Sequence, residues 1–230
     1  MKFLRPALVV SLILLLDQTI KFWIKLHFTY NESTRIAGWF YLYFIENEGM
    51  AFGMSLGGDS GKLLLTLFRI MAAVAIGYYL IRVVNQKAHP GFIVAMSLIF
   101  AGAVGNIIDS TLYGILFDKG INPSQGIHGY EGIAKLSLHG YTSLFHGAVV
   151  DMFYFPLYEG FLPKWLPIWH GDYFIFFRPI FNIADASITT GVLMIIVFQK
   201  KFFKDRSKKI EEPAAEIEAR DIQNDAAPEL

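Results

Sequence analysis

The 230-residue chain contains no cysteine. Disulfides, thiol nucleophiles and cysteine metal sites are therefore excluded within it. The six histidines (His27, His89, His128, His139, His146 and His170) show no metal-ligand spacing such as H-E-x-x-H and read as surface or interface residues. There is no G-x-S-x-G motif and no serine–lysine arrangement, so serine hydrolase chemistry has no carrier. Neither sign of charge is in excess: 20 basic residues face 20 acidic ones, a balance that implies no nucleic-acid partner. No internal repeat is present.

What the chain does have is apolar sequence. Hydrophobic residues make up 54% of it, bunched into long runs. A soluble domain of this length is ordinarily more polar. Four runs reach the roughly 20 residues that a helix needs to cross a bilayer: about 6–26, 62–84, 91–110 and 182–202. Lys2 and Arg5 precede the first run as in a signal peptide. No small-residue cleavage site follows, and Asp17, Gln18 and Lys21 interrupt the run, so it reads as a retained helix. Basic residues flank the start of the first span (Lys2, Arg5), the link between the second and third (Arg82, Lys87) and the end of the fourth (Lys200, Lys201, Lys204, Arg206, Lys208, Lys209). These regions fall on one side, which the positive-inside rule makes cytoplasmic, with both termini inside. Residues 27–61 and 111–181 are then outside.

The outer segments are aromatic. Trp39–Ile45 is strand-like, and 152–181 is rich in Phe, Tyr, Trp and Pro; rings of this kind favour the headgroup level. Residues 118–147, rich in Gly and Ser, read as a surface loop within an extracytoplasmic insertion over about 111–150. The expected fold is an all-α membrane protein: a four-transmembrane-helix bundle over residues 1–209, with a small β/aromatic extracytoplasmic element lying on the membrane surface. Residues 210–230 form a disordered acidic cytoplasmic tail.

Two aspartates stand out in this setting. Asp151, in Val149-Val150-Asp151-Met152, and Asp185, in Phe181-Asn182-Ile183-Ala184-Asp185, sit in apolar sequence with no basic residue within a turn. A carboxylate at mid-bilayer costs about 2.5–3.5 kcal/mol on insertion scales, so two of them need a reason, and working as a pair supplies one. Helix rise puts Asp185 roughly 5 Å below the outer end of the fourth span. Asp17 falls in the outer half of the first span, Asp109 at the outer end of the third, and Asn47 in the first outer segment. Asp151 is read as an outer-loop residue that dips to the same layer. Gly102, Asn106 and Asp109 share one face of the third span, and Asn182 and Asp185 are i, i+3 on the fourth. Gly102 and Gly105 are small enough to let a partner helix or a substrate approach. Asp17 with Lys21 at i+4 reads either as an ion pair that steadies the span or as part of the site. Asn106 and Asn182 read as interhelical hydrogen-bond donors that also support the site, and Asp109 as a helix-end group.

These blocks resemble those of the signal peptidase II, or lipoprotein signal peptidase, family of bacterial inner-membrane aspartic peptidases. Five occur in order: Asp17-Gln18 with Lys21; Asn47-Glu48-Gly49-Met50-Ala51-Phe52; Gly102-Ala103-Val104-Gly105-Asn106-Ile107-Ile108-Asp109; Val150-Asp151; and Phe181-Asn182-Ile183-Ala184-Asp185. The resemblance covers most of residues 5–203. It implies that Asp151 and Asp185 form a catalytic dyad, and that Asp17, Lys21, Asn47, Gly49, Ala51, Gly105, Asn106, Asp109, Asn182 and Ala184 bind substrate or support the site. It implies an endopeptidase of the inner membrane that cuts a prolipoprotein before its diacylglyceryl-modified cysteine. Membrane lipids would be its other partners, with neither metal nor cofactor and a monomeric state. The family usually places Arg after the third-block aspartate; here Ser110 stands there, and Arg69 and Arg178 are candidates for its role. The stretches between Asp109 and Asp151 and between Asp151 and Asp185 are longer than usual. Presenilin- and prepilin-type proteases rely on Gly-x-Gly-Asp, which is absent. The competing non-enzyme reading is a proton-coupled transporter or channel using membrane carboxylates.

Overall fold

The computed structural model describes residues 2–49, 58–122, 130–161, 163, 165 and 171–203. Ala51, the 210–230 tail and all of the basic run beyond Lys201 lie outside the described residues. Among the described residues there are four long apolar helices: α1 (Leu4–His27), α2 (Gly58–Asn85), α3 (Pro90–Leu116) and α4 (Ile183–Phe203). Each carries an 18-residue stretch hydrophobic enough to cross a bilayer, matching the four expected spans. Lys2 Nζ donates to Asn85 Oδ1 at 2.7 Å, and the His89 and Phe202 rings meet at 5.1 Å. The start of α1, the α2–α3 link and the end of α4 therefore share one end of the bundle.

α3 is the central helix. Of its apolar stretch 44% is buried inside the protein, against 17% for each of the others, whose outer faces would meet lipid. Glycines set how closely its neighbours approach. A Cβ on Gly102 would stand 2.3 Å from the Ala184 carbonyl oxygen, and one on Gly105 would stand 2.8 Å from Asp17 Oδ2 and 3.1 Å from the Ala184 Cβ. The partner expected at these glycines is thus the first turn of α4, with the acidic face of α1 beside it. Gly102→Ala should overpack this crossing and destabilise by about 1–3 kcal/mol. Gly38→Ala, whose Cβ meets nothing nearer than 3.5 Å, serves as the comparison. Thermal unfolding in detergent reads the difference; equal midpoints for the two variants would rule out the tight crossing.

α3 runs on to Leu116, past its expected end at residue 110, through a π-helical turn at Asp109–Tyr113. Such a turn leaves carbonyls in need of other donors. The segment that follows supplies them: Gly147 N donates to Ser110 O at 2.9 Å, Phe145 N to Thr111 O at 3.2 Å, Thr142 N to Gly114 O at 3.1 Å and Ser137 N to Leu116 O at 3.0 Å. The Gly/Ser-rich stretch is therefore wrapped around the helix end as its cap.

The described residues also form six strands: β1 (Ser33–Ala37), β2 (Phe40–Asn47), β3 (Val149–Tyr154), β4 (Tyr158–Phe161), β5 (Tyr173–Phe176) and β6 (Ile180–Phe181). They form one antiparallel sheet in the order β1-β2-β3-β6 and a separate β4-β5 ribbon. The strand-like aromatic segment is β2. Its ring Phe40 stacks on Phe155 at 4.8 Å, and Phe155 stacks on Phe181 at 5.6 Å, which makes an aromatic band across the sheet. A second apolar cluster, around Phe92, Val83 and Val84, closes the opposite end of the bundle.

Candidate active site

β6 is short, but it positions the site. It pairs Phe153 with Phe181 and Tyr154 with Ile180, and the chain then turns at Asn182 into α4. Continuing that register would set Asp151 opposite residue 183, where strand has become helix. The sheet therefore delivers Asp151 to the N-terminal turn of the helix that carries Asp185. Asp151 lies on β3, not in a loop as the sequence suggested; it is the one charged residue of Val149–Tyr154, whose first four residues are buried.

Asn182 caps α4. Its Oδ1 accepts from Asp185 N at 2.9 Å, and Asp185 Oδ2 accepts from Asn182 N at 3.4 Å, a reciprocal capping box. The Asn182 amide also donates to Asp151 Oδ1 at 2.7 Å and to Asn106 Oδ1 at 3.1 Å. Asn106 in turn donates to Asp185 Oδ1 at 2.8 Å. One amide thus touches both aspartates, and a second closes the ring. The other Asp151 oxygen accepts from Asn47 Nδ2, and Asn47 Oδ1 accepts from Gly49 N. On the antiparallel ladder Ile45 faces Asp151, so Asn47 reaches it as the diagonal neighbour on the same face.

Behind this ring lies a charged layer. Lys21 Nζ bridges Asp17 Oδ2 at 2.9 Å, Asp109 Oδ2 at 2.8 Å and Asn106 Oδ1 at 2.9 Å, and the three charged side chains are fully buried. Asp17 Oδ1 accepts from Ala184 N at 2.9 Å, placing a carboxylate at the positive end of α4. Asp109 Oδ2 also accepts from Val150 N at 3.3 Å, the residue before Asp151. Gln18 donates to Asp17, Asp109 and the Gly105 carbonyl at 3.0, 3.0 and 3.2 Å, and accepts from Tyr113 OH at 3.1 Å. The Asp17–Lys21 pair is therefore both a brace within α1 and a support behind the two aspartates.

Several partners were not legible in the sequence. Lys62 on α2 donates to Glu48 O at 2.7 Å and lies 3.5 Å from Ser110 Oγ. Lys25 pairs with Glu46 in the interior, and its Nζ lies 5.0, 5.4 and 5.2 Å from the Phe117, Tyr130 and Tyr141 ring centres. That buried cage fastens the cap segment to β2. The stripe Asp17, Lys21, Lys25, spaced i, i+4, i+8, was the local signal for it. Arg178 is exposed, on the link between β5 and β6. Among the described residues, no group of three or more His, Asp or Glu side chains is arranged to hold a metal ion.

Burial drives the Asp151 carboxyl well above the ordinary carboxylate value, and the Asp185 charge drives it further; Lys21 and the Asn182 amide oppose the shift. A carboxyl raised in the folded state stabilises the fold while protonated. That contribution is present at and below the usual carboxylate value and is lost as pH rises toward the raised value. Unfolding of the parent protein should therefore slope downward in stability across that window. Asp151→Asn should flatten the slope, whatever its absolute midpoint. Parallel slopes in detergent melts across pH 4–8 would contradict the shift.

The model of the family described as signal peptidase (SPase) II matches residues 9–201. A lipoprotein signal peptidase of Porphyromonas gingivalis is 46% identical over 192 residues, covering 83% of this chain and 80% of that protein. One of Amoebophilus asiaticus is 32% identical over 215 residues, covering 92% and 81%. A solved structure described as a bacterial membrane enzyme, determined by the in meso method at 2.3 Å, aligns with a TM-score of 0.54 at 25% identity, covering 89% of this chain and 91% of its own. With four membrane-length helices and a match that spans most of its length, the chain belongs to the signal peptidase II family of multi-pass membrane peptidases.

Proposed function

We propose that the chain removes signal peptides from prolipoproteins that carry diacylglyceryl on a cysteine, cutting just before that residue, with Asp151 and Asp185 as an aspartic dyad. The observation that carries this reading is the shared Asn182. Its amide nitrogen holds Asp151, its amide oxygen accepts from the Asp185 backbone N–H, and its own backbone N–H donates to Asp185 Oδ2, so two carboxyl groups from distant segments answer to one residue. Burial, and after it the Asp185 charge, raises the Asp151 carboxyl, which suits a pair that holds one proton between them.

The ionised partner takes a proton from water as the water oxygen attacks the scissile carbonyl carbon. The protonated partner donates a hydrogen bond to the carbonyl oxygen. Collapse of the tetrahedral intermediate breaks the C–N bond, and the leaving nitrogen takes up a proton from the dyad. The proton belongs to the pair, not to either residue. Asn106, Asn47, Asn182 and the Asp17–Lys21–Asp109 layer hold the geometry. Both termini face the cytoplasm of a bacterial inner membrane, and the dyad lies near the outer leaflet surface. There a diacylglyceryl anchor would hold the cut site at the same depth. Residues 1–209 act as the peptidase unit, and 210–230 as a cytoplasmic tail.

A proton-coupled transporter fits less well. Residues 2–16, 60–108 and 186–203 contain no Asp or Glu, so no acidic relay leads from the cluster to the other end of the bundle. Purified protein, incubated with a diacylglyceryl-modified prolipopeptide and with its unlipidated twin, should release the signal peptide from the first only, as read by mass spectrometry. An intact lipidated peptide after incubation with well-folded protein would defeat the proposal.

A further inference from the structure

α2 turns a polar stripe toward the site. Lys62, Thr66 and Arg69 are spaced i, i+4, i+7, so they share one face. Each binds a backbone carbonyl of another segment: Lys62 the Glu48 oxygen, Thr66 the Phe145 oxygen, and Arg69 the Gly49 oxygen through Nη2. Two cations thus grip consecutive carbonyls, directly after the Asn47 that touches Asp151. Gly49 suits this grip on two counts. Its φ is +96°, and a Cβ there would stand 2.3 Å from Arg69 Nη1.

Lys62 is accounted for by its carbonyl and Ser110. Arg69 is not. Its Nη1 is fully covered, yet it has no hydrogen-bond partner among the described residues. A guanidinium nitrogen cannot give up its charge to escape such a position, and a buried donor left unpaired costs about 1–3 kcal/mol. A short run of hydrogen bonds links it to the candidate site: Arg69 holds Gly49, Gly49 N donates to Asn47, and Asn47 donates to Asp151.

We propose that Arg69 contacts substrate, its free Nη1 donating to a carbonyl oxygen of the lipidated chain while Nη2 keeps its hold on Gly49. This rests on the peptidase reading above. The carbonyl belongs either to the peptide next to the scissile bond or to an ester of the lipid. One guanidinium spanning Gly49 and the bound carbonyl would tie Gly49 to the substrate, a bidentate task for which a lysine lacks the geometry.

The test compares the parent, Arg69→Gln, Arg69→Lys and Lys62→Met on a diacylglyceryl prolipopeptide and on the same peptide with a dialkyl-ether lipid. Parent cleavage is the prior condition, and its absence would remove the peptidase reading itself. Loss of a charged donor predicts a fall of about 10- to 100-fold in kcat/KM for Arg69→Gln, most of it in KM. Arg69→Lys should recover part of the loss. Lys62→Met loosens the same grip but removes no free donor, so its effect should fall on kcat and thermal midpoint and leave KM near the parent's. A KM rise in Arg69→Gln on both lipids assigns the peptide carbonyl; a rise on the ester lipid alone assigns the ester. An unchanged KM in Arg69→Gln, or equal KM rises in Arg69→Gln and Lys62→Met, overturns the contact.

Discussion

Asp151→Asn and Asp185→Asn should each lower turnover of a lipidated prolipopeptide on the order of 10³-fold, within the range that positioned acid–base groups supply. The double variant should fall no further than the worse single one, because the two carboxyl groups act as a unit. The expectation includes a modest structural effect. Both oxygens of each aspartate accept N–H bonds: Asp151 from Asn182 and Asn47, Asp185 from Asn106 and the Asn182 backbone. An asparagine in either place turns one acceptor into a donor that faces a donor. Thermal midpoints should drop, while far-UV circular dichroism and detergent gel filtration remain those of the parent. Folded protein with near-normal turnover from either single variant would dismiss the dyad.

Lys21→Met should produce the largest loss of stability. Lys21 is fully buried and is the cation shared by Asp17 and Asp109. Its removal leaves buried carboxylates without a counter-charge and deprives Asn106 of a donor, so the ring around Asp185 loosens as well. Breaking a buried pair by deleting one partner costs about 3–5 kcal/mol, a large share of a typical folding free energy. The expected result is low yield and a strongly lowered melting temperature in detergent. Adding Asp109→Asn to Lys21→Met should restore part of the midpoint, because one uncompensated charge disappears. A Lys21→Met protein that melts like the parent would show that the layer carries little of the fold.

The helices were legible because length and hydropathy suffice to find a membrane-spanning segment. The strand at β2 was legible from its aromatic run. β3 was not: Val149–Tyr154 has no polar alternation, because its site end is covered on both faces, and a buried strand of that kind has no period of two to detect. The capping box was legible in principle, since Asn182 and Asp185 precede an apolar run at the required spacing. At i, i+3 the same two residues also share a helical face, and that simpler pattern hides the dual role of Asn182. Lys62 and Arg69 were not legible as a pair, because their partners are backbone carbonyls, which leave no mark on residue identity. Glu46 and Lys25 meet across 21 positions, and only the folded sheet brings them together.

The bond from Ala184 N to Asp17 Oδ1 joins residues 167 positions apart, the first helix to the last. A ribosome delivers α1 well before α4. Until α4 has been made, Asp151 lacks the Asn182 amide and Asp17 lacks the Ala184 N–H. During that interval α1 carries its own counter-charge, because Lys21 lies one turn from Asp17 and can neutralise it before Asp109 arrives. The proposed dyad would thus assemble only when α4 joins α1 and β3.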